Sequence, residues 1–390
     1  MGNPAAAVPE ADPARPLAIA ILGDPNSIHV RRWATYLAER SHRVTLLAPR
    51  GREVESGYPP GVAFERYASN TGWLIGPLGL VASALSVRRV VARIRPDILQ
   101  VHYLTLNGFR AWMSGFHPYV ATVWGNDVLI DPRLSIRARL LARLSLRSAD
   151  LVTGPSGHLV DSAIRLGAKP ERTRVIHFGV DTELFSPGLG PADLRKRLGL
   201  VGRRVLFSPR IIDRLYRHET VIDALAELPE DVTLVMASYL ANAEVVAALE
   251  RRVQDKGLAG RVLILAATPY SERPAFFRLA DVVVSVPETD GGPLTLVEAL
   301  AVGRPIVCSD LPPVREWLAE IDPACLVPVG DSGATAAAIR TVLARSAEER
   351  LSLAEKGRAA VLDRADQRRT MAEIERLYRQ LAAGGLDPAR

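Results

Sequence analysis

Short apolar runs recur along this chain in two sets, and the lengths between them constrain the fold more than any other feature. The first set is Leu17 to Leu22, Arg43 to Leu47, Ile98 to His102, Tyr119 to Trp124, Leu151 to Thr153 and Val175 to His177. The second is Arg204 to Phe207, Val232 to Met236, Arg261 to Leu265, Val282 to Val286, Pro305 to Cys308 and Leu326 to Pro328. Continuous apolar strands joined by helical crossovers imply parallel sheets covered on both faces. At 390 residues the chain exceeds the size at which one core keeps growing. The expectation is therefore an α/β chain of two Rossmann-like parallel-sheet domains facing across a cleft.

The Pro- and Gly-rich stretch Asp181 to Asp193 interrupts both helix and strand and supplies the boundary. It predicts an N-terminal domain over 16–184 and a C-terminal domain over 185–365. A disordered leader over 1–15 and a tail over 366–390, whose helix packs back towards the first domain, complete the organisation.

Hydrophobic residues make up 48% of the chain, enough for two cores, while aromatics at 6% are too sparse for a base-stacking nucleic-acid platform. The net charge of +6 rests almost wholly on arginine, since the lysines are Lys169, Lys196, Lys256 and Lys356 alone. Guanidinium suits bidentate phosphate contacts, although genome composition produces the same bias. Cys308 and Cys325 sit in core-like surroundings and read as reduced, which fits a cytoplasmic location. The first residues lack the basic start and apolar run of a signal peptide. The apolar stretch Trp73 to Ala84 is too short and too broken by Gly and Pro to span a bilayer.

Chemistry concentrates in Val286 to Glu298, VPETDGGPLTLVE. If its second half is helical, the turn through Gly291, Gly292 and Pro293 points backbone N–H groups of Leu294 and Thr295 at an anion. Asp290 and Glu298 would then be roughly 12 Å apart along the axis, too far to share a metal but suited to gripping one elongated ligand. Arg210 closes the first strand of the second set and can hold a diphosphate, with Arg217 in the following turn. No Cys, His or carboxylate companions lie at metal-ligand spacing around His102, and no metal or cofactor is expected.

In the first set, Gly23 follows a strand without a G-x-G-x-x-G fingerprint or a P-loop. Ser27 either caps a helix or helps bind an anion with His29 and Arg32. Trp124, Gly125, Asn126 and Asp127 form a turn whose polar side chains either cap the next segment or accept a sugar hydroxyl. His102 is open to two readings as well, a core histidine or a site residue. The segment Ser135 to Arg147 is an amphipathic helix with arginines among leucines. It reads as a solvated face, a contact to a phosphorylated acceptor, or a peripheral membrane contact.

Taken in order, VIHFGVDTELFSP (Val175 to Pro187), SPR ending at Arg210, the stretch Ala280 to Glu316 and LVPVGD (Leu326 to Asp331) resemble the retaining GT-B glycosyltransferases of family 4. The resemblance implies a nucleoside-diphosphate sugar as donor and an unknown hydroxyl acceptor. Glu298 matches the carboxylate that holds the donor ribose, Asp290 the one near the transferred sugar, and Arg210 the diphosphate arginine. The family lysine and glycine fall at Tyr216 and Arg217, so Arg217 is the expected substitute cation. Trp124 stands where many members have histidine, which leaves His102 or the backbone at Gly125 to serve. The element from Ser27 to Trp33 resembles the loop near acceptor and phosphate. The implied reaction is metal-independent, with the leaving diphosphate taking the acceptor's proton. A nucleotide-sugar 2-epimerase and a noncatalytic sugar-nucleotide-binding module are the alternatives.

Overall fold

The computed structural model describes residues 15–69, 76–188, 190–265 and 268–385, so the expected leader lies, Arg15 aside, outside the described residues. The chain divides into two compact units, residues 1–178 with 369–390, and residues 179–368.

Strands of the first unit are β1 (Ala18–Leu22), β2 (Arg43–Pro49), β3 (Val62–Tyr67), β4 (Ile98–His102), β5 (Tyr119–Thr122), β6 (Leu151–Gly154) and β7 (Thr173–Val175). They form one sheet in the order β3-β2-β1-β4-β5-β6-β7, with every pairing parallel. Apolar side chains alternate between its faces. Ala20, Leu22, Leu99 and Val101 meet the helices Pro77–Ile94, Leu104–Ser114, Ile136–Ser148 and Gly157–Leu166. Ile19, Ile21 and Ile98 meet the helix Ile28–Glu39 and the last helix, Gln367–Ala382, through Met371, Ile374, Leu377 and Tyr378. Burial on both faces is why these strands read as unbroken apolar runs. The sequence reading lacks β3. It is an edge strand whose Ala63, Phe64 and Glu65 range from part-buried to exposed, so it carries no such run.

The second unit holds β8 (Arg204–Ser208), β9 (Val232–Ala237), β10 (Val262–Leu265), β11 (Val282–Ser285), β12 (Ile306–Ser309) and β13 (Leu326–Val327). Their order is β10-β9-β8-β11-β12-β13, again all parallel. One continuous core joins this sheet to its helices. The division falls between Phe178 and Gly179, a few residues before the expected boundary stretch, because Phe185 is buried in the second core against Phe277. Arg358 also donates to the Thr182 and Phe185 carbonyls. Cys308 and Cys325 are buried and free. Among the described residues no helix is long and apolar enough to cross a membrane.

Candidate functional site

In a parallel sheet, loops at the carboxyl ends of neighbouring strands share one edge of the unit. In the second unit β8 lies between β9 and β11, so the residues after these three strands converge: Arg210, Tyr239 and Asp290.

Arg210 Nη1 donates to Asp290 Oδ2 at 2.9 Å and lies 3.5 Å from Thr295 Oγ1. Its Cζ stands 4.3 Å from the centre of the Tyr216 ring. Burial alone would weaken the hold of this guanidinium on its proton, but Asp290 and then Tyr216 together more than offset that, and its pKa is raised. The expected helix is present as Leu294–Val302, and no side chain caps its N-terminus. Gly292 N–H instead donates to Asp290 Oδ1 at 3.2 Å, so one carboxylate ties the glycine turn to the arginine. Gly291 and Pro293 are buried, and Gly292 and Leu294 partly so.

Glu298 sits deeper than the sequence suggests. Expected to meet donor hydroxyls, it is wholly enclosed, with both carboxylate oxygens engaged inside the protein. Tyr270 donates its hydroxyl to Oε1 at 2.7 Å, and Arg273 donates Nη2 to Oε2. Arg273, itself buried, also donates Nη1 to the carbonyl of Pro209 at 2.7 Å, next to Arg210 in the chain. Its Nε has no hydrogen-bond partner among the described residues. Asp290 and Glu298 keep their eight-residue separation across the glycine turn and helix, but each carboxylate meets its own arginine first.

Arg217 is also placed differently from expectation. Its guanidinium lies 3.4 Å from Glu288 and 3.9 Å from Glu219, and it lines a groove with Arg214 and Arg252. The backbone explains this: Arg217 sits at φ 50°, a left-handed conformation, and turns away while Tyr216 covers Arg210. Sequence reasoning missed Arg273, Tyr270 and Tyr239. Tyr239 is about half exposed and feels the charges of Arg273, Arg210 and Glu298. The available signal was three tyrosines, each shortly after a strand of one sheet.

In the first unit β1 and β5 flank β4, which brings Gly23, His102 and Trp124 to one edge. A Cβ at Gly23 would stand 2.9 Å from Val30 Cγ2 and 3.2 Å from His102 Cβ, so only glycine allows this approach. Ser27 is the N-cap of Ile28–Glu39, accepting from His29 N–H at 3.3 Å. The His29 ring stacks on Phe178 at 4.3 Å and meets Trp124 edge-on at 5.1 Å. Burial, then the charge of Arg32 one turn on, lower its pKa to about 3.

Of the two readings of His102, its surroundings are those of a core histidine. It is fully buried, its Nδ1 accepts from Trp124 Nε1 at 3.3 Å, and Trp33 packs edge-on against it at 4.9 Å. Burial lowers its pKa to about 3, so the ring is neutral with its proton on Nε2. Asp127 is likewise enclosed. It accepts N–H bonds from Leu104, Trp124 and Gly125 at 2.8 to 3.0 Å, which ties the turn and leaves no carboxylate for a sugar. Burial raises its pKa despite those bonds. Gly125 holds φ 145°, outside the range of ordinary side chains, and Asn126 is exposed. Tyr103, also missed, sits at φ 62° directly after β4, its pKa raised by burial and by the nearby Asp131 charge, the kind of strained position found at functional sites.

Two family models match the chain, Glycosyltransferase Family 4 over residues 27–184 and Glycosyl transferases group 1 over residues 193–360. Among curated proteins, the D-inositol 3-phosphate glycosyltransferase of Geodermatophilus obscurus is 28% identical over 82% of this chain and 77% of its own length. Its Mycobacterium tuberculosis counterpart is 30% identical over 60% of this chain, which spans about half (52%) of that relative. Among solved structures, sucrose-phosphate synthase from Thermosynechococcus elongatus superimposes with a TM-score of 0.81 at 21% identity, covering 94% of this chain and 99% of that one. HepE of Anabaena, in complex with UDP and glucose, gives 0.76 at 22% identity, covering 92% and 98%.

Proposed function

Since the chain belongs to the GT-B glycosyltransferases of family 4 and group 1, we propose that it moves a sugar from a nucleoside-diphosphate donor to an acceptor hydroxyl with retention at the anomeric carbon. The observation that carries this reading is the part-buried Arg210 guanidinium, held by Asp290 beside an uncapped helix N-terminus. Oriented N–H groups and a fixed cation stabilise negative charge that grows on a leaving diphosphate. D-inositol 3-phosphate glycosyltransferases among the relatives, and UDP with glucose in HepE, support a nucleotide-sugar donor.

In this proposal the bond from the anomeric carbon to the diphosphate oxygen breaks on the face where the acceptor oxygen bonds. The acceptor's proton passes to the departing diphosphate. Arg210 exchanges Asp290 for phosphate oxygens, and the released Asp290 turns to the sugar hydroxyls. Glu298 is a positioning residue that holds Arg273 and Tyr270, and Arg273 is the second cation in a site where tyrosine replaces the expected lysine. Asp290 and Glu298 each have a guanidinium partner, and metal independence is part of the proposal.

Thermal-shift screening against UDP, GDP, ADP and dTDP sugars identifies the donor, because a ligand that binds the native state raises its apparent stability. With that donor, released nucleoside diphosphate and the product's anomeric configuration are then measured, with and without chelator. No shift with any nucleotide, an inverted product, or loss of turnover in chelator overturns the corresponding part.

A further inference from the structure

The helix Ile136–Ser148 already has an inward side: Ala142, Ser145 and Leu146 are buried, and Leu141 packs under the neighbouring helix with Phe109 and Leu80. Its other apolar residues serve no core. Ile136 is 90% exposed, Leu140 56%, and Leu134, just before the helix, 80%. The helix Pro77–Ile94 repeats the pattern. Leu80, Ala84, Val87 and Val91 face inward, while Leu78 is 75% exposed and Val81 and Leu85 lie on the same outer stripe at 38% and 37%.

These helices flank Leu104–Ser114 in the layer on one face of the first sheet. As crossovers between parallel strands they run antiparallel to them, so their N-terminal turns gather at the carboxyl ends of the strands. Leu78, Leu134 and Ile136 therefore lie at one end of one layer, with partly exposed Leu106 at the start of the helix between.

Charge decides what covers them. From Pro132 to Ala149 the chain carries Arg133, Arg137, Arg139, Arg143 and Arg147, all at least partly exposed, and no acidic residue. The arginines of Pro77–Ile94 and its cap, Arg88, Arg89, Arg93 and Arg95, fall in the C-terminal half of that helix, away from this end, and Arg93 is paired with Glu65, so they take no part. Exposed Leu134, Ile136 and Leu140 interleaved with exposed Arg133, Arg137 and Arg139 match an interface with an apolar interior and an anionic surface.

We propose that this end of the first unit docks on an anionic lipid bilayer, with Leu78, Leu134, Ile136 and Leu140 entering the acyl boundary and the arginines meeting phosphate headgroups. The placement rests on the first unit alone and is independent of the donor reading.

The test is co-sedimentation of the full chain with vesicles of phosphatidylcholine alone and of equal parts phosphatidylcholine and phosphatidylglycerol, at low and raised salt. Binding to the mixed vesicles, weakened by salt and nearly absent without phosphatidylglycerol, is expected. Arg137→Gln with Arg139→Gln should weaken it about thirtyfold, and Leu134→Asp with Ile136→Asp about tenfold or more. All four residues are exposed, so the melting transition should not move. No binding at low salt overturns the proposal, as does binding indifferent to both double variants. A concentration-dependent dimer dissolved by Leu134→Asp with Ile136→Asp also overturns it, by assigning the face to a second copy of the chain.

Discussion

At the strand ends of the first unit the packed groups are rings: His29 on Phe178, and His102 between Trp33 and Trp124, both histidines held neutral. At the corresponding edge of the second unit the packed groups are ions, Arg210 with Asp290 and Arg273 with Glu298, each arginine beside a tyrosine ring. One kind of sheet thus supports either a low-polarity surface or a buried charge array. A buried ion pair is costly to break from one side, while a neutral buried histidine is costly to protonate. The two units should therefore fail under different challenges.

The largest expected effect is in the second unit. Arg273→Ala leaves Glu298 buried without its guanidinium and should cost about 3–5 kcal/mol, read by urea unfolding with hydrogen exchange to assign the loss to residues 179–368. Combining Arg273→Met with Glu298→Leu should restore most of that stability while nucleotide binding stays lost. If the double variant is as unstable as the single, the pair is not the source.

Asp290→Asn separates binding from chemistry. Arg210 is freed from its carboxylate, so affinity for a nucleoside diphosphate alone should hold or rise, while transfer falls about a hundredfold. Parallel losses in both would mean that Asp290 supports the fold of the site rather than exchanging with the ligand.

Acidification should find the first unit. His102 has an unfolded-state pKa near 6.5 and a folded one of about 3, so the unfolded chain binds the extra proton between those values. Its contribution is complete above pH 6.5 and is lost as pH falls towards 3, costing about 2 kcal/mol by pH 5. His29 acts in the same direction. His218, lowered by burial to about 4, costs the second unit about as much by pH 5 as either of these histidines costs the first, so the first unit, with two, responds about twice as strongly. Exchange protection from pH 7 to pH 5 should fall more in β1, β4 and β5 than in β8, β9 and β11. An equal fall would remove the contrast.

The smallest effect tests the tyrosine that stands for lysine. Tyr216→Lys should raise nucleoside diphosphate affinity several-fold at low salt, and less at high salt. Tyr216→Phe keeps the ring over Arg210 and should change it little.

The apolar runs of all strands but the edge strands β3 and β7 stood in the sequence, because a parallel strand buried on both faces has a composition no loop shares; β7 lies at Thr173–Val175, two residues before the expected run. Arg210, Asp290 and the helix after Gly292 were readable for a similar reason, since each follows a strand end or a glycine turn. Glu298, His102 and Asp127 were visible as residues but not as states. Whether a carboxylate faces solvent or an arginine depends on partners such as Arg273, twenty-five positions away from Glu298. Nor could Arg217 be placed, because its direction depends on one left-handed backbone angle that a non-glycine residue rarely adopts.

The helix Gln367–Ala382 contributes Met371, Ile374, Leu377 and Tyr378 to the core beneath β1, and the Tyr378 hydroxyl joins Trp33 to Gln100. A ribosome delivers these groups only after the whole of residues 179–368 has been made. The earlier-synthesised unit therefore waits, with an unfilled seam along one side of its sheet, while the later one can close by itself.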